Sequence, residues 1–235
     1  MSRILIIQND FTENLGLYES ILNEYSDVDL IQAYNCTVKN DFPPQNIFNG
    51  FIVGPTPISA NNIQDHPYLV NEWKYLDSLI KKAKPILGIC CGGQILAKIL
   101  GAEIKKSPNK EIGIYNIELS QDGLNDPLFQ GFPSQFPVFQ WHNDMFTIPA
   151  EGTILATGKQ CPIQSFKYKN TRGVLFHLEI DSTQAIKWIK AYPNELAMIR
   201  KTGKQVLEEC KNHEREMSHL ARMLMVNFLK IVNSP

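Results

Sequence analysis

Apolar residues in the first part of the chain fall into short blocks separated by amphipathic stretches. Arg3 to Gln8 carries Ile4-Leu5-Ile6-Ile7 at its centre, which predicts a buried strand. Leu17 to Tyr25 puts Leu17, Ile21 and Leu22 on one face of a helix. Val28 to Tyr34 reads as a second strand, and Gly50 to Pro55 as a third that stops at Gly54-Pro55. Tyr68 to Lys82 returns to helical spacing through Leu69, Trp73, Leu76, Leu79 and Ile80. Pro85 to Ile89 is a fourth strand, and Gln94 to Leu100 a helix closed by Gly101. Strands alternating with helices predict an α/β fold: a mostly parallel central sheet with helices on both faces.

The pattern then changes. Residues 112–119, 137–141, 153–157, 162–167 and 173–177 read as strands with few helices between them. They are expected to join the same sheet or to form a small antiparallel ribbon. The end is helical, from about 183 to 235. Met217, Leu220, Ala221, Leu224, Phe228 and Val232 share one helix face, which is expected to cover a face of the sheet. The charged run from Glu208 to Glu216 reads as a solvated face, with no ligand role for His213 or His219. Residues 1–235 are read as a single domain.

Composition narrows the function classes. The chain has 235 residues, 43% hydrophobic and 20% charged, which suits a packed globular fold. A net charge of -1 argues against a nucleic-acid binder, which needs a basic face. No apolar run approaches the roughly 18–20 residues of a membrane span. The N-terminus lacks the long apolar core of a signal peptide. Cysteines 36, 90, 91, 161 and 210 are odd in number and scattered, without a CxxC. A reduced, cytoplasmic setting is expected, with no structural zinc site.

The chemistry concentrates in Gly88-Ile89-Cys90-Cys91-Gly92-Gly93-Gln94. A buried strand runs into Gly-x-Cys-x-Gly and then a helix, the cysteine form of a nucleophile elbow. Such a turn crowds the positions two before and two after the nucleophile, so glycine is needed at both. Only Cys90 has glycine on both sides at that spacing; Cys91 would need a small residue where Ile89 stands. The following helix N-terminus is expected to favour a thiolate at Cys90. A disulfide between Cys90 and Cys91 is the silent alternative. For a base, His177 closes an apolar strand in Gly173-Val174-Leu175-Phe176-His177-Leu178-Glu179, with Glu179 placed to orient its ring.

These two motifs, in this order, resemble the class I (triad) glutamine amidotransferases, and most closely their free-standing GMP-synthase-like members. Those proteins share a Gly-x-Cys-x-Gly-x-Gln elbow and a late Gly-Val-x-Phe-His-Pro-Glu, here Gly88 to Gln94 and Gly173 to Glu179. The resemblance covers roughly residues 3 to 180 and includes Gln140-Trp141-His142-Asn143-Asp144. It implies a flavodoxin-like fold and a Cys90-His177-Glu179 triad. It also implies an oxyanion hole from the backbone N–H groups of Gly54 and Cys91, and substrate contacts from Gln94, Trp141 and His142. Two positions depart from the pattern. Leu178 replaces proline, which is expected to loosen the His177–Glu179 geometry. Gly93 replaces a larger residue, which is expected to widen the pocket.

The implied reaction is hydrolysis of a γ-glutamyl amide, glutamine to glutamate and ammonia, through a cysteine thioester. It needs no metal or organic cofactor. The chain has no phosphate loop, so the ammonia would pass to a separate synthetase. The alternative is a stand-alone γ-glutamyl peptide hydrolase. A degenerate module that binds a ligand or partner is the non-enzymatic rival. A metal site built from His142, Asp144, His177 and Glu179 is a third reading.

Overall fold

The computed structural model describes residues 1–36 and 41–234. Strand β1 (Arg3–Gln8) is fully buried from Ile4 to Ile7 because it lies inside a parallel sheet. It is flanked by β2 (Asp27–Gln32) and β3 (Gly50–Val53). Next come β4 (Ile86–Ile89), parallel to β3, and β9 (Thr171–Val174), parallel to β4. The same sheet continues antiparallel through β8 (Ser165–Tyr168), β7 (Thr153–Gly158), β5 (Ile104–Leu119) and β6 (Gln135–Phe146). The order is β2-β1-β3-β4-β9-β8-β7-β5-β6.

The antiparallel part is thus an extension of the main sheet, and it is not small. Strands β5 and β6 are 16 and 12 residues long, the longest of the nine. The expected strand at 112–119 begins earlier, at Ile104, because Lys105, Lys106 and Lys110 hide its start in the sequence. The pairing with β6 shifts register between Lys106 and Glu111. The far strand then returns to the parallel half: Phe139 of β6 bridges His177, with N···O distances of 2.9 and 3.0 Å.

Alternate residues of the central strands feed two cores, as pleating demands. Ile4, Ile6, Ile52, Leu87 and Ile89 face one side. There they meet α1 (Leu17–Tyr25), α5 (Ser182–Ala191) and α7 (Gly203–Val232); the short α4 (Gln121–Asn125) follows β5, and the short α6 (Pro193–Met198) follows α5. Leu5, Ile7, Phe51, Val53 and Ile86 face the other, under α2 (Pro67–Lys81) and α3 (Cys91–Ile99). The C-terminal helix packs on its own sheet: a Cβ at Gly50 would lie 2.5 Å from Val232. A capping box fixes its start, with Thr202 Oγ1 accepting from Gln205 N and Gln205 Oε1 accepting from Thr202 N. Its charged run is only partly a solvated face. Glu209 accepts from Ile114 N at 3.1 Å, and Glu214 accepts from Ser182 N at 3.1 Å.

One buried ion pair ties the parallel and antiparallel halves. Arg172 on β9 donates to Asp126 through Nε (2.8 Å) and a terminal nitrogen (3.0 Å), with both side chains under 5% exposed. Asp126 also accepts from Leu128 N at 2.9 Å. Asp126→Ala strands the buried guanidinium and is expected to cost about 3–5 kcal/mol in urea unfolding. Lys167→Met removes the exposed third partner of Asp126 and is expected to cost under about 1 kcal/mol.

Candidate active site

Strand β4 delivers Cys90 to the carboxyl end of the sheet. There the backbone takes φ 50° and ψ -111°, and α3 begins at the next residue. A left-handed φ at a non-glycine residue stores strain. Cys90 N donates to Val174 O at 2.8 Å, which locks the elbow to β9. A Cβ at Gly88 would come within 2.6 Å of Gly92 C and Gly93 N. At Gly92 it would lie 2.2 Å from Val53 O, so the second glycine answers to β3 and not to Gly88. Gly93 faces β9, where a Cβ would sit 3.0 Å from Val174 O, so it does not widen the pocket.

His177 stands just past β9, clamped on both sides of its backbone by Phe139. Its Nδ1 lies 2.6 Å from Glu179 Oε1, and neither side chain is exposed. Trp188 of α5 meets the ring edge to face, with centroids 4.9 Å apart. Nε2 has no hydrogen-bond partner among the described residues. Leu178 tightens this segment: its N–H donates to the Tyr18 hydroxyl at 3.3 Å, a bond proline cannot make. Burial and the adjacent Glu179 carboxylate push the Tyr18 phenol well above its ordinary range.

A cavity of about 220 Å³ opens over the sulfur, lined by Glu13, Ser59, Cys90, Gln94, His142 and Glu195 among others. That is below the roughly 300–1,000 Å³ of sites for drug-sized ligands, and suits a small substrate. Gln94 Nε2 donates to Asp144 O at 3.0 Å, which leaves its carbonyl oxygen for a ligand. Trp141 also lines the cavity; its Nε1 donates to Glu195 at 3.1 Å. His142 pairs with Glu111, while Asp144 binds Ser59 Oγ (2.7 Å) and Lys106. The four groups of the suggested metal site are thus split between separate partners.

Two expectations need correction. The Gly54 N–H already donates to Ile7 O at 2.8 Å in the parallel ladder, so it is not a free oxyanion donor here. A Cβ at Gly54 would sit 3.1 Å from that same oxygen. The Cys91 N–H is directed at the Cys90 thiol. Nor does the helix terminus yield a resting thiolate. Burial, then Glu13, Cys91 and Glu179, push the Cys90 thiol well above its ordinary range, against the smaller opposing effect of the Cys91 N–H. All five cysteines are free.

The pattern along the chain did not reveal Glu13, Ser59, Lys110 or Glu195. Each comes from a loop, the irregular middle of strand β5 or a helix start distant from the elbow in sequence. The one available signal was position: Glu13 follows the carboxyl end of β1, where open α/β sheets bind ligands. Asp10 Oδ1 accepts from Thr12 N (2.7 Å) and Glu13 N (3.0 Å). Gln184 and Trp188 hold Thr12 O, and together these bonds turn Glu13 inward.

A second buried carboxylate backs the loop after β3. Asn9 Nδ2 bridges Gly54 O (3.1 Å) and Glu72 Oε1 (3.0 Å). Burial raises the Glu72 carboxyl from 4.5 to about 8, against the Asn9 hydrogen bond. Burial likewise raises Glu13 to about 8, against a hydrogen bond from Tyr192 and with Asp10, Glu195 and Glu179 adding to the rise. Folded chains hold these protons between pH 4.5 and 8, where unfolded chains release them. The resulting stabilisation is complete below pH 4.5 and is lost as pH rises towards 8. Stability is expected to fall across that window by up to about 1.4 kcal/mol per pH unit for each group. Glu72→Gln is expected to flatten the profile and to exceed wild type at pH 8. Urea unfolding at pH 5, 6.5 and 8 checks this.

Comparison with known proteins agrees with this architecture. The chain matches the glutamine amidotransferase class-I family over residues 17–191. It is 33% identical to the glutamine amidotransferase-like protein YfeJ of Salmonella typhimurium, over 66% of each chain. It is 26% identical to a glutamine-hydrolysing GMP synthase subunit of Sulfurisphaera tokodaii, over 80% of this chain and 88% of that one. A glutamine amidotransferase from Thermotoga maritima superposes with a TM-score of 0.88 at 30% identity, covering 99% of both chains. The chain spans 66% of the Salmonella protein and only 20–30% of several other curated relatives. The protein belongs to the class-I glutamine amidotransferase family. No helix among the described residues is long and apolar enough to cross a membrane.

Proposed function

We propose that this protein hydrolyses a γ-glutamyl amide, with glutamine as the leading substrate, through a thioester on Cys90. The observation that carries this reading is the left-handed Cys90 elbow, whose thiol feels the carboxylate of a fully buried His177–Glu179 pair. Glu179 holds the Nδ1 proton of His177, so Nε2 takes the thiol proton when substrate arrives. The sulfur then attacks the amide carbon. The Cys91 N–H supports the oxyanion, an effect worth roughly 3–4 kcal/mol per donor in comparable sites. Gly54 can contribute only if its N–H leaves Ile7 O. His177 returns the proton to the leaving nitrogen, and ammonia departs. Water, activated by the same Nε2, then cleaves the thioester to glutamate and free thiol.

The likeness to a GMP synthase subunit supports a separate synthetase as the ammonia acceptor. The test is release of glutamate and ammonia from glutamine, beside a panel of γ-glutamyl dipeptides. Preferred turnover of glutamine is the expected result. Preferred turnover of a dipeptide would make the protein a stand-alone peptide hydrolase. Failure with all of them, with and without a synthetase, would overturn the reading.

A further inference from the structure

The cavity over Cys90 is bounded by two groups of residues, and one side chain on its wall has no part in the mechanism above. Gln94, Asp144 and Ser59 bound one end and are joined through Asp144. The segment between β1 and α1 bounds the other, and it belongs to the side of the base. Leu17 N donates to Glu179 O at 3.3 Å, and a Cβ at Gly16 would lie 2.8 Å from that same oxygen. Trp188, whose ring meets His177, donates Nε1 to Thr12 O at 3.2 Å. Next in the chain is Glu13, which lines the cavity with Cys90 and is only 6% exposed. Its carboxyl takes a hydrogen bond from the Tyr192 hydroxyl and is close enough to act on the Cys90 thiol. The other acids of the wall are occupied. Glu195 holds Trp141 Nε1 and Lys110, and Asp144 holds Ser59 and Lys106.

We propose that Glu13 is a specificity-determining residue: its side chain closes the leaving-group end of the Cys90 cavity, so that a primary amide fits and a γ-glutamyl bond to a larger amine does not. This rests on the γ-glutamyl reading above. The leaving nitrogen takes its proton from His177, so it is turned to the side on which Glu13 stands. Ammonia is the smallest amine that can leave there, and a substituent on the nitrogen has to enter volume that the Glu13 side chain fills. The loop has little slack to withdraw it, because Asp10 Oδ1 holds Thr12 N and Glu13 N while Gln184 and Trp188 hold Thr12 O. Burial raises Glu13 to about 8. At neutral pH the group is therefore mostly uncharged, and it acts by size and hydrogen bonding, without drawing in a cationic amine.

The test is the ratio of kcat/KM for glutamine to that for γ-glutamylmethylamide in wild type, Glu13→Ala and Glu13→Gln. One added methyl group in a closed pocket discriminates by roughly 10–200-fold, and wild type is expected to prefer glutamine by that order. Glu13→Ala is expected to cut the ratio by about tenfold, and Glu13→Gln, which keeps the bulk, to hold it within about threefold. A merely structural loss lowers the active fraction and scales both substrates alike, so it leaves the ratio where it was. Wild type preferring the methylamide, an unchanged ratio in Glu13→Ala, or a ratio that Glu13→Gln shifts as far as Glu13→Ala would each overturn the proposal. If wild type turns over no γ-glutamyl amide, the functional reading fails, and alkylation of the Cys90 thiol decides the role of Glu13. Rates at Cys90 are then compared by peptide mapping for iodoacetamide and the bulkier iodoacetanilide. Glu13→Ala is expected to raise the rate with iodoacetanilide relative to iodoacetamide about tenfold, which would keep Glu13 as the group that limits size over the sulfur. An unchanged relative rate overturns it.

Discussion

Replacing Cys90 with Ala is expected to lower turnover of the preferred γ-glutamyl substrate by at least about 10⁴-fold, to the background of the assay. In the proposed mechanism both chemical steps run through the sulfur, and nothing else in the cavity takes its place. Cys91 does not substitute, because its Sγ turns away to donate to Ile58 O at 3.2 Å. Cys91→Ala is therefore expected to leave most of the activity, since the backbone N–H remains. Stability separates this loss from misfolding. Alanine at 90 keeps the elbow and removes only a buried sulfur, so urea unfolding is expected to stay within about 2 kcal/mol of wild type. Turnover that survives in Cys90→Ala would sink the thioester mechanism.

Glu179→Gln is expected to cost about 10³- to 10⁴-fold in kcat, with little change in KM. The substitution keeps size and shape but not hydrogen-bond polarity. Glu179 Oε1 accepts the Nδ1 proton of His177 at 2.6 Å, while the Tyr18 hydroxyl lies at the same carboxylate. Tyr18 already accepts from Leu178 N, so its own proton is free to turn to residue 179. In the glutamine variant that proton draws the amide oxygen, and the amide nitrogen turns towards His177. The ring is then held with its proton on Nε2, where it cannot accept from the thiol. Rapid quench of the acyl-enzyme should show slowed acylation. Normal kcat in Glu179→Gln would mean that orientation of the base comes from the Phe139 clamp and Trp188 alone.

The parts of this molecule written in local sequence were legible, and the parts assembled over distance were not. Strand β1 and helix α1 are apolar blocks whose periodicity gives their bounds directly. The elbow was legible because its steric demands fall on neighbouring residues, Gly88 and Gly92, that must be glycine for packing reasons. The start of β5 was not, because a strand with one wet face and a bulge at Lys106–Glu111 carries polar residues that mask it. The state of the Gly54 N–H was beyond reach as well. The Gly-Pro pair marks a turn, but the acceptor, Ile7 O, is set by sheet register. The resting protonation of Cys90 failed for a related reason. The helix terminus is a local feature and favours the thiolate, whereas burial, with smaller effects of groups brought in from Glu13 and Glu179, pushes the thiol the other way.

The backbone at Cys90 has a bearing on how this lineage could drift. A left-handed φ costs an L-residue roughly 1–2 kcal/mol, and glycine escapes that cost. Cys90→Gly is therefore the substitution that folding alone would reward. A duplicated copy released from its chemistry would gain thermal tolerance by losing the thiol at this one codon, ahead of His177 or Glu179, whose removal leaves a buried partner stranded. Presence of cysteine here is thus a more sensitive record of retained chemistry than presence of the other two.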